Sequence, residues 1–171
     1  MKKICLMFLL ISTSCLLCSC LNNNDKAQVV VYDSIKSNST KIESESYLSL
    51  KANLAYKSRG YFVASKLYSS LICKDSANGE FVFKKGVCCA KLGCKADAIK
   101  YYKKAVYLKY RVPDSYMNIS IAYASLLNDS LALVYINKCI SLDPNNQKAL
   151  ELEKLFTHIS KSKKKGKNVD I

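Results

Sequence analysis

Tryptophan is absent from these 171 residues, proline occurs twice, glycine five times and histidine once. So few helix breakers remove the punctuation that short strands and tight hairpins need, which leaves helices as the natural use of the chain. The single histidine, His158, provides no imidazole set for a zinc site. There is no glycine-rich phosphate loop, no spaced His and carboxylate set, and no Ser or Cys with a histidine base to activate it. The expectation is a protein that is not an enzyme and takes no cofactor, metal or small-molecule substrate. Acidic residues are scarce as well, 13 against 27 lysines and arginines, for a formal charge of +14. That balance favours encounters with anionic partners and says nothing about fold. Half the residues are hydrophobic, which is a globular composition.

Met1-Lys2-Lys3 followed by the apolar stretch Ile4 to Leu17, broken by Ser12, Thr13 and Ser14, has the pattern of an export signal. It falls short of the ~20 mostly apolar residues that span a bilayer. Leu17-Cys18-Ser19-Cys20 resembles the lipobox of bacterial lipoproteins, with Cys18 standing where that family usually has Ala, Ser or Thr. The resemblance implies a signal peptide over residues 1–19 and acylation of Cys20. With Leu21 rather than Asp next in line, it implies an outer-membrane lipoprotein of the cell envelope. Each buried CH₂ of the acyl chains would add roughly 0.8 kcal/mol to attachment. Losing Lys2 and Lys3 leaves 25 basic against 13 acidic residues, still a net of +12. Residues 20–39 are polar and are expected to form a tether. Within them the run Val29-Val30-Val31-Tyr32 has two further options, pairing as a strand or packing on a neighbouring helix. Five cysteines follow Cys20: Cys73, Cys88, Cys89, Cys94 and Cys139. An odd number cannot all pair, and small buried apolar residues are their expected role.

Laid on itself at an offset of 34, the chain falls into register. Ala64, Ala98 and Ala132 coincide. Leu48, Val82 and Tyr116 form a large apolar column, Ala52, Gly86 and Ser120 a small one four residues later, and Ala55, Cys89 and Tyr123 continue the same face. A second helix in each unit, beginning near Tyr61, Ala96 or Ser130, carries the Ala column, then Tyr68/Tyr102/Ile136 and Leu71/Ala105/Cys139. Small residues at two columns let a pair of antiparallel helices approach closely. This pattern resembles the tetratricopeptide repeat, most of all over Gly86 to Leu108 and in the closing Leu142-Asp143-Pro144-Asn145-Asn146. Ser76 and Tyr110 stand where the third unit has Pro144.

The resemblance implies an all-α fold of three tandem helical hairpins, over 45–78, 79–112 and 113–146, wound into a short right-handed superhelix. Thr40 with Glu43 fits a capping box, so the repeat domain is expected to run over 40–160 with its first helix starting near Lys41. A helix over 147–160, bearing Leu150, Leu152, Leu155 and Phe156, would cap the stack, because the last hairpin otherwise leaves its stacking face in water. Residues 161–171 are expected to be a disordered basic tail.

First helices of such repeats line a concave face, which by phase places Asn53, Tyr56, Lys57, Phe83, Val87, Lys91, Met117, Ile121 and Ser125 in the groove. The leading expectation is a scaffold or adaptor that holds a partner protein or peptide there. The alternative is a basic lipoprotein that binds lipopolysaccharide or another polyanion through Lys161, Lys163, Lys164, Lys165 and Lys167, with the repeats as a spacer and no role for nucleic acid. The carboxylate clamp of some tetratricopeptide proteins is matched only by Asn53. Asp33-Ser34-Ile35, Asp75-Ser76-Ala77 and Asp129-Ser130-Leu131 resemble an acceptor for O-glycosylation in Bacteroidota. Turn formation and helix capping by Asp and Ser explain the same residues.

Overall fold

The computed structural model describes residues 44–167, with side chains described through residue 163. The signal segment, Cys20, the tether with its apolar run, Ser34 and Thr40 lie outside the described residues. Seven helices follow in order: α1 (Glu45–Lys57), α2 (Tyr61–Lys74), α3 (Gly79–Lys91), α4 (Lys95–Tyr107), α5 (Val112–Ser125), α6 (Asp129–Leu142) and α7 (Gln147–Lys167). They pair as three antiparallel hairpins, each packed on the next, with α7 closing against α6. The all-α repeat architecture is therefore the one the 34-residue register demands.

Four of the seven helices, α1, α3, α6 and α7, start where a side chain satisfies an orphan amide. Asn78 Oδ1 accepts from the Phe81 amide at 3.2 Å, Asn128 Oδ1 from Leu131 at 3.1 Å and Asn146 Oδ1 from Ala149 at 3.1 Å. Ser44 caps α1 in the same way, its Oγ accepting from the Tyr47 amide at 3.4 Å. The first described helix thus opens at Glu45, behind Ser44 in the extended conformation of a cap, and the expected start near Lys41 lies outside the described residues.

Turns within the hairpins share one device, a left-handed residue two positions past the first helix. Gly93 fills it at φ 83°, but Arg59 (φ 63°) and Leu127 (φ 58°) occupy it in the other two units. The last hairpin turn sits at Leu126 to Asn128, one residue earlier than its polar residues imply, so Asp129 and Ser130 open α6 instead of forming a loop.

The small columns lie at the closest approach of the helices: Ala52, Ala64, Ala98 and Ala132 are all fully buried. Gly86 belongs to the same set, for a Cβ there would come within 2.9 Å of the Tyr102 ring. Around them the large columns form a continuous core. Leu48, Tyr68, Leu71 and Phe81 fill the first junction, Val82, Phe83, Tyr102 and Ile119 the centre, and Met117, Ile136, Cys139 and Phe156 the far end. Burial of side chains such as Leu71 or Ile136 contributes about 1.5–3 kcal/mol each.

Helix α7 covers the last hairpin with Ala149 and Phe156, while Leu155 faces outward. It also runs past residue 160, to Lys167, so Lys161 through Lys167 belong to a helix and not to an unstructured tail. Part of the reason is that Lys163 reaches back to α6, its Nζ 2.5 Å from Asp129 Oδ2.

Candidate partner-binding groove

The junction between the first two hairpins is polar. Asn53 Oδ1 accepts two hydrogen bonds, from the Tyr68 hydroxyl at 2.8 Å and from Lys84 Nζ at 2.7 Å. Lys84 also donates to Glu80 Oε1, 2.5 Å away on its own helix. The charge of Lys84 is thereby neutralised within the junction. Tyr56 leans edge-on against Tyr61 and Tyr68, with ring centroids 6.1 and 6.3 Å apart, and Lys84 Nζ lies 5.9 Å from its centroid. Desolvation by burial raises the hydroxyl pKa of both Tyr56 and Tyr68 above the ordinary tyrosine value, which keeps them as neutral donors.

Two expected lining residues are withdrawn from the groove. Phe83 is only 6% exposed and Met117 only 9%. Phe83 inserts between Tyr102 and Tyr110, at centroid distances of 5.6 and 6.0 Å, and the Arg111 guanidinium stands 5.0 Å over its ring. Met117 joins Ile136 and Phe156 under the cap. Each side chain is long enough to be claimed by another element, Phe83 by α4 and the link that follows it, Met117 by α6 and the cap, a packing decision that no single helix encodes.

The remaining predicted positions stay accessible. Lys57, Lys91 and Ser125 are exposed; Asn53, Tyr56, Val87 and Ile121 are half-buried. The Ser125 hydroxyl donates to the Ile121 carbonyl at 2.9 Å, so it is engaged by its own helix. Val87 and Ile121 thus leave half-buried apolar side chains on α3 and α5, Asn53 and Lys84 form a polar pair between α1 and α3, and Lys57 and Lys91 stand exposed at the ends of α1 and α3. Glu80 and Lys84 belong to the Asn53 network, which the pattern of hydrophobic columns missed; their i, i+4 spacing on α3 was the available signal.

The other candidate sites lie apart from this face. Ser76 is exposed in the turn after α2, and Ser130 is exposed at the start of α6, beside a shallow recess formed with Leu127, Ser160 and Lys163. The basic residues from Lys161 onward sit on α7. Among the described residues no cluster of His, Cys, Asp and Glu has the makings of a metal site, and no helix is long and apolar enough to cross a membrane. Among the described residues all five cysteines are free thiols: Cys73 and Cys94 exposed, Cys88, Cys89 and Cys139 buried. Burial pushes the Cys88 thiol up to about 12, so it stays protonated and chemically inert.

Helical hairpins stacked one on the next define an α-helical solenoid. Residues 79–111 and 113–146 match the tetratricopeptide repeat family. The chain carries tetratricopeptide repeats, and α1 with α2 forms a third hairpin of the same construction ahead of the matched stretch. No curated protein matches the sequence. Solved structures do. The tetratricopeptide domain of Arabidopsis OM64 is 23% identical with a TM-score of 0.62, the match covering 67% of this chain and 94% of that one. The second such domain of human RPAP3, in complex with the HSP70 peptide SGPTIEEVD, is 19% identical with a TM-score of 0.60, covering 64% of this chain and 92% of that one. A tetratricopeptide-repeat protein of Bacteroides fragilis is 21% identical with a TM-score of 0.59, covering 66% of this chain and 51% of that one. At these identities the likeness shows the fold.

Proposed function

We propose that this protein is a non-catalytic scaffold that holds an extended segment of a partner protein in the groove of α1, α3 and α5. The observation that carries this reading is the graded lining. Val87 and Ile121 offer apolar seats, Asn53 presents its amide NH₂ beside the Tyr68–Lys84 network, and Lys57 and Lys91 stand exposed along the rim. Such a surface suits a peptide with one or two apolar anchors and an acidic flank. The peptide held by the structurally similar human RPAP3 domain supports the same use of the fold.

The cell-envelope setting is the second half of the proposal and is supported by sequence alone. Cys20, preceded by Leu17 and Ser19 and followed by Leu21, is the acylated first residue of an outer-membrane lipoprotein that presents the groove outward from a short tether.

A crosslinking pull-down from intact cells tests the groove. The informative variants are Ile121→Glu and Val87→Glu, which alter accessible side chains. Phe83→Glu tests only folding, since Phe83 is core. A partner held by the parent chain and released by both surface variants, with unchanged melting temperature, is the expected result. Retention of every crosslinked partner by both variants overturns the proposal. Palmitate labelling that persists in Cys20→Ala would sink the anchoring half alone.

A further inference from the structure

The second helices of the hairpins carry a charge pattern that the groove does not use. Helices α2, α4 and α6 together hold seven lysines against two acidic residues, Asp97 and Asp129, and Asp129 is ion-paired with Lys163. The first helices α1, α3 and α5 hold five lysines against three acids, with Lys84 tied to Glu80. Lys85 is half-buried, donating to the Ser65 carbonyl at 3.0 Å and hydroxyl at 2.6 Å. The excess of positive charge is therefore concentrated on the convex side.

Five of these seven lysines are exposed, while Lys104 is half-buried and Lys95, also half-buried, donates to the Ala90 carbonyl at 2.8 Å; the exposed ones are interleaved with aromatic and apolar side chains. Lys66, Lys100, Lys103 and Lys138 are exposed, and Tyr107 is 84% and Val134 47% exposed. Lys100, Lys103 and Tyr107 follow one another at i, i+3 and i+7 along α4, on a single helical face. Aromatic rings support several of the ammonium groups. Lys103 Nζ lies 5.7 Å and Lys138 Nζ 5.1 Å from the centroid of Tyr135, which itself stacks on Tyr123 at 5.4 Å. Lys66 Nζ stands 5.7 Å from the Phe62 centroid. A cation held against a ring keeps its stem ordered before any ligand arrives, which lowers the entropy cost of binding.

We infer that the convex face of α2, α4 and α6 docks on a membrane surface of anionic lipid, with the lysines at the headgroup phosphates and Tyr107 at the headgroup level. Lysine with exposed tyrosine and a few aliphatic side chains is the composition that suits a membrane interface. A soluble polyanion would call for the lysines alone. This inference is independent of the groove reading, because the groove lies on the opposite helices, and docking here leaves the groove facing away from the bilayer.

The test uses the full-length chain and vesicles of phosphatidylglycerol in phosphatidylcholine at about 0.1 M salt. Every reading is compared with neutral phosphatidylcholine vesicles, so that insertion through the amino-terminal residues cancels. Because the chain has no tryptophan, Tyr107→Trp places a single reporter on this face. Its emission should shift to the blue with anionic vesicles and remain unshifted with neutral ones.

Each lysine near such a surface is worth about a fivefold change in partitioning, so Lys100→Gln, Lys103→Gln and Lys138→Gln together should weaken the anionic-over-neutral preference about 100-fold. Ile121→Glu in the groove should leave it unchanged. Partitioning that survives the triple substitution and falls instead with Lys161→Gln, Lys164→Gln and Lys165→Gln overturns the inference in favour of α7. So does an unshifted reporter when the chain binds DNA or heparin as tightly as it binds the vesicles. A melting curve of the triple variant matching that of the parent separates lost docking from lost folding.

Discussion

Gly79→Ala sets a local rule against the tertiary structure. Gly79 is the first residue of α3, and a glycine replaced by alanine in a compatible helical position ordinarily stabilises by about 0.4–1 kcal/mol. Here the added Cβ would lie 2.4 Å from Tyr110 Cβ and 2.9 Å from its Cγ. Carbon atoms pack at about 3.5–4.0 Å, so the two chain segments must part by about 1.2 Å. Tyr110 Cβ cannot swing clear, because it is bonded to the backbone that links α4 to α5. Overpacking of this kind costs about 3 kcal/mol at the upper end of its usual range. Against the helical gain that leaves a net loss of about 2 kcal/mol, or roughly 8 °C in melting temperature for a domain of this size. Thermal unfolding followed by the far-ultraviolet helical signal measures it. In a Tyr110→Gly background both obstructing atoms are gone, and the same substitution should become stabilising by about 0.5 kcal/mol. A melting temperature that rises or stays fixed for Gly79→Ala in the parent chain refutes the reasoning.

Leu127→Gly is expected to stabilise by about 1 kcal/mol, because Leu127 holds φ 58° with 79% of its surface in water and has little packing to lose; an unchanged or lower denaturant midpoint would contradict this. Iodoacetamide labelling read by peptide mass should find Cys73 and Cys94 modified quickly and Cys88, Cys89 and Cys139 only after unfolding; fast labelling of Cys88 in the folded chain would contradict its burial. Alkali should weaken the fold. An unfolded thiol releases its proton near 9.0 whereas Cys88 in the folded chain holds it to about 12, so the folded state binds more protons in that window and stability declines as pH climbs through it. The buried hydroxyls of Tyr68 and Tyr102 act in the same direction; Lys85, whose pKa burial lowers, acts against them. A denaturant midpoint that stays level or rises between pH 9 and 11 would show that burial of these groups is not what the packing implies.

The repeat architecture was legible from the chain because a 34-residue register forces the same residue classes onto the same faces three times. Ala64, Ala98 and Ala132 announce a close helix crossing wherever they fall, and burial of all three follows from geometry common to every hairpin. Helix starts were less legible. Ser44, Asn78 and Asn128 cap their helices with side chains as short as those of many turn residues. The left-handed positions of the first and third hairpin turns are Arg59 and Leu127, not glycines, and Gly60 marks the first turn one residue later.

Only the assembled solenoid decided which of the positions expected in a groove stay accessible. Phase alone put Phe83, Val87, Met117 and Ile121 on one side of their helices. Contacts with other elements of the stack then drew Phe83 under Tyr110 and Met117 under the cap, leaving Val87 and Ile121 accessible. Tertiary contact likewise fixed the pairing of Lys84 with Asn53 across 31 residues and of Lys163 with Asp129 across 34. Periodicity within a helix is a local property written in spacing, whereas burial at a junction depends on which side chain from another hairpin arrives at the same point, and that is settled only when the stack closes.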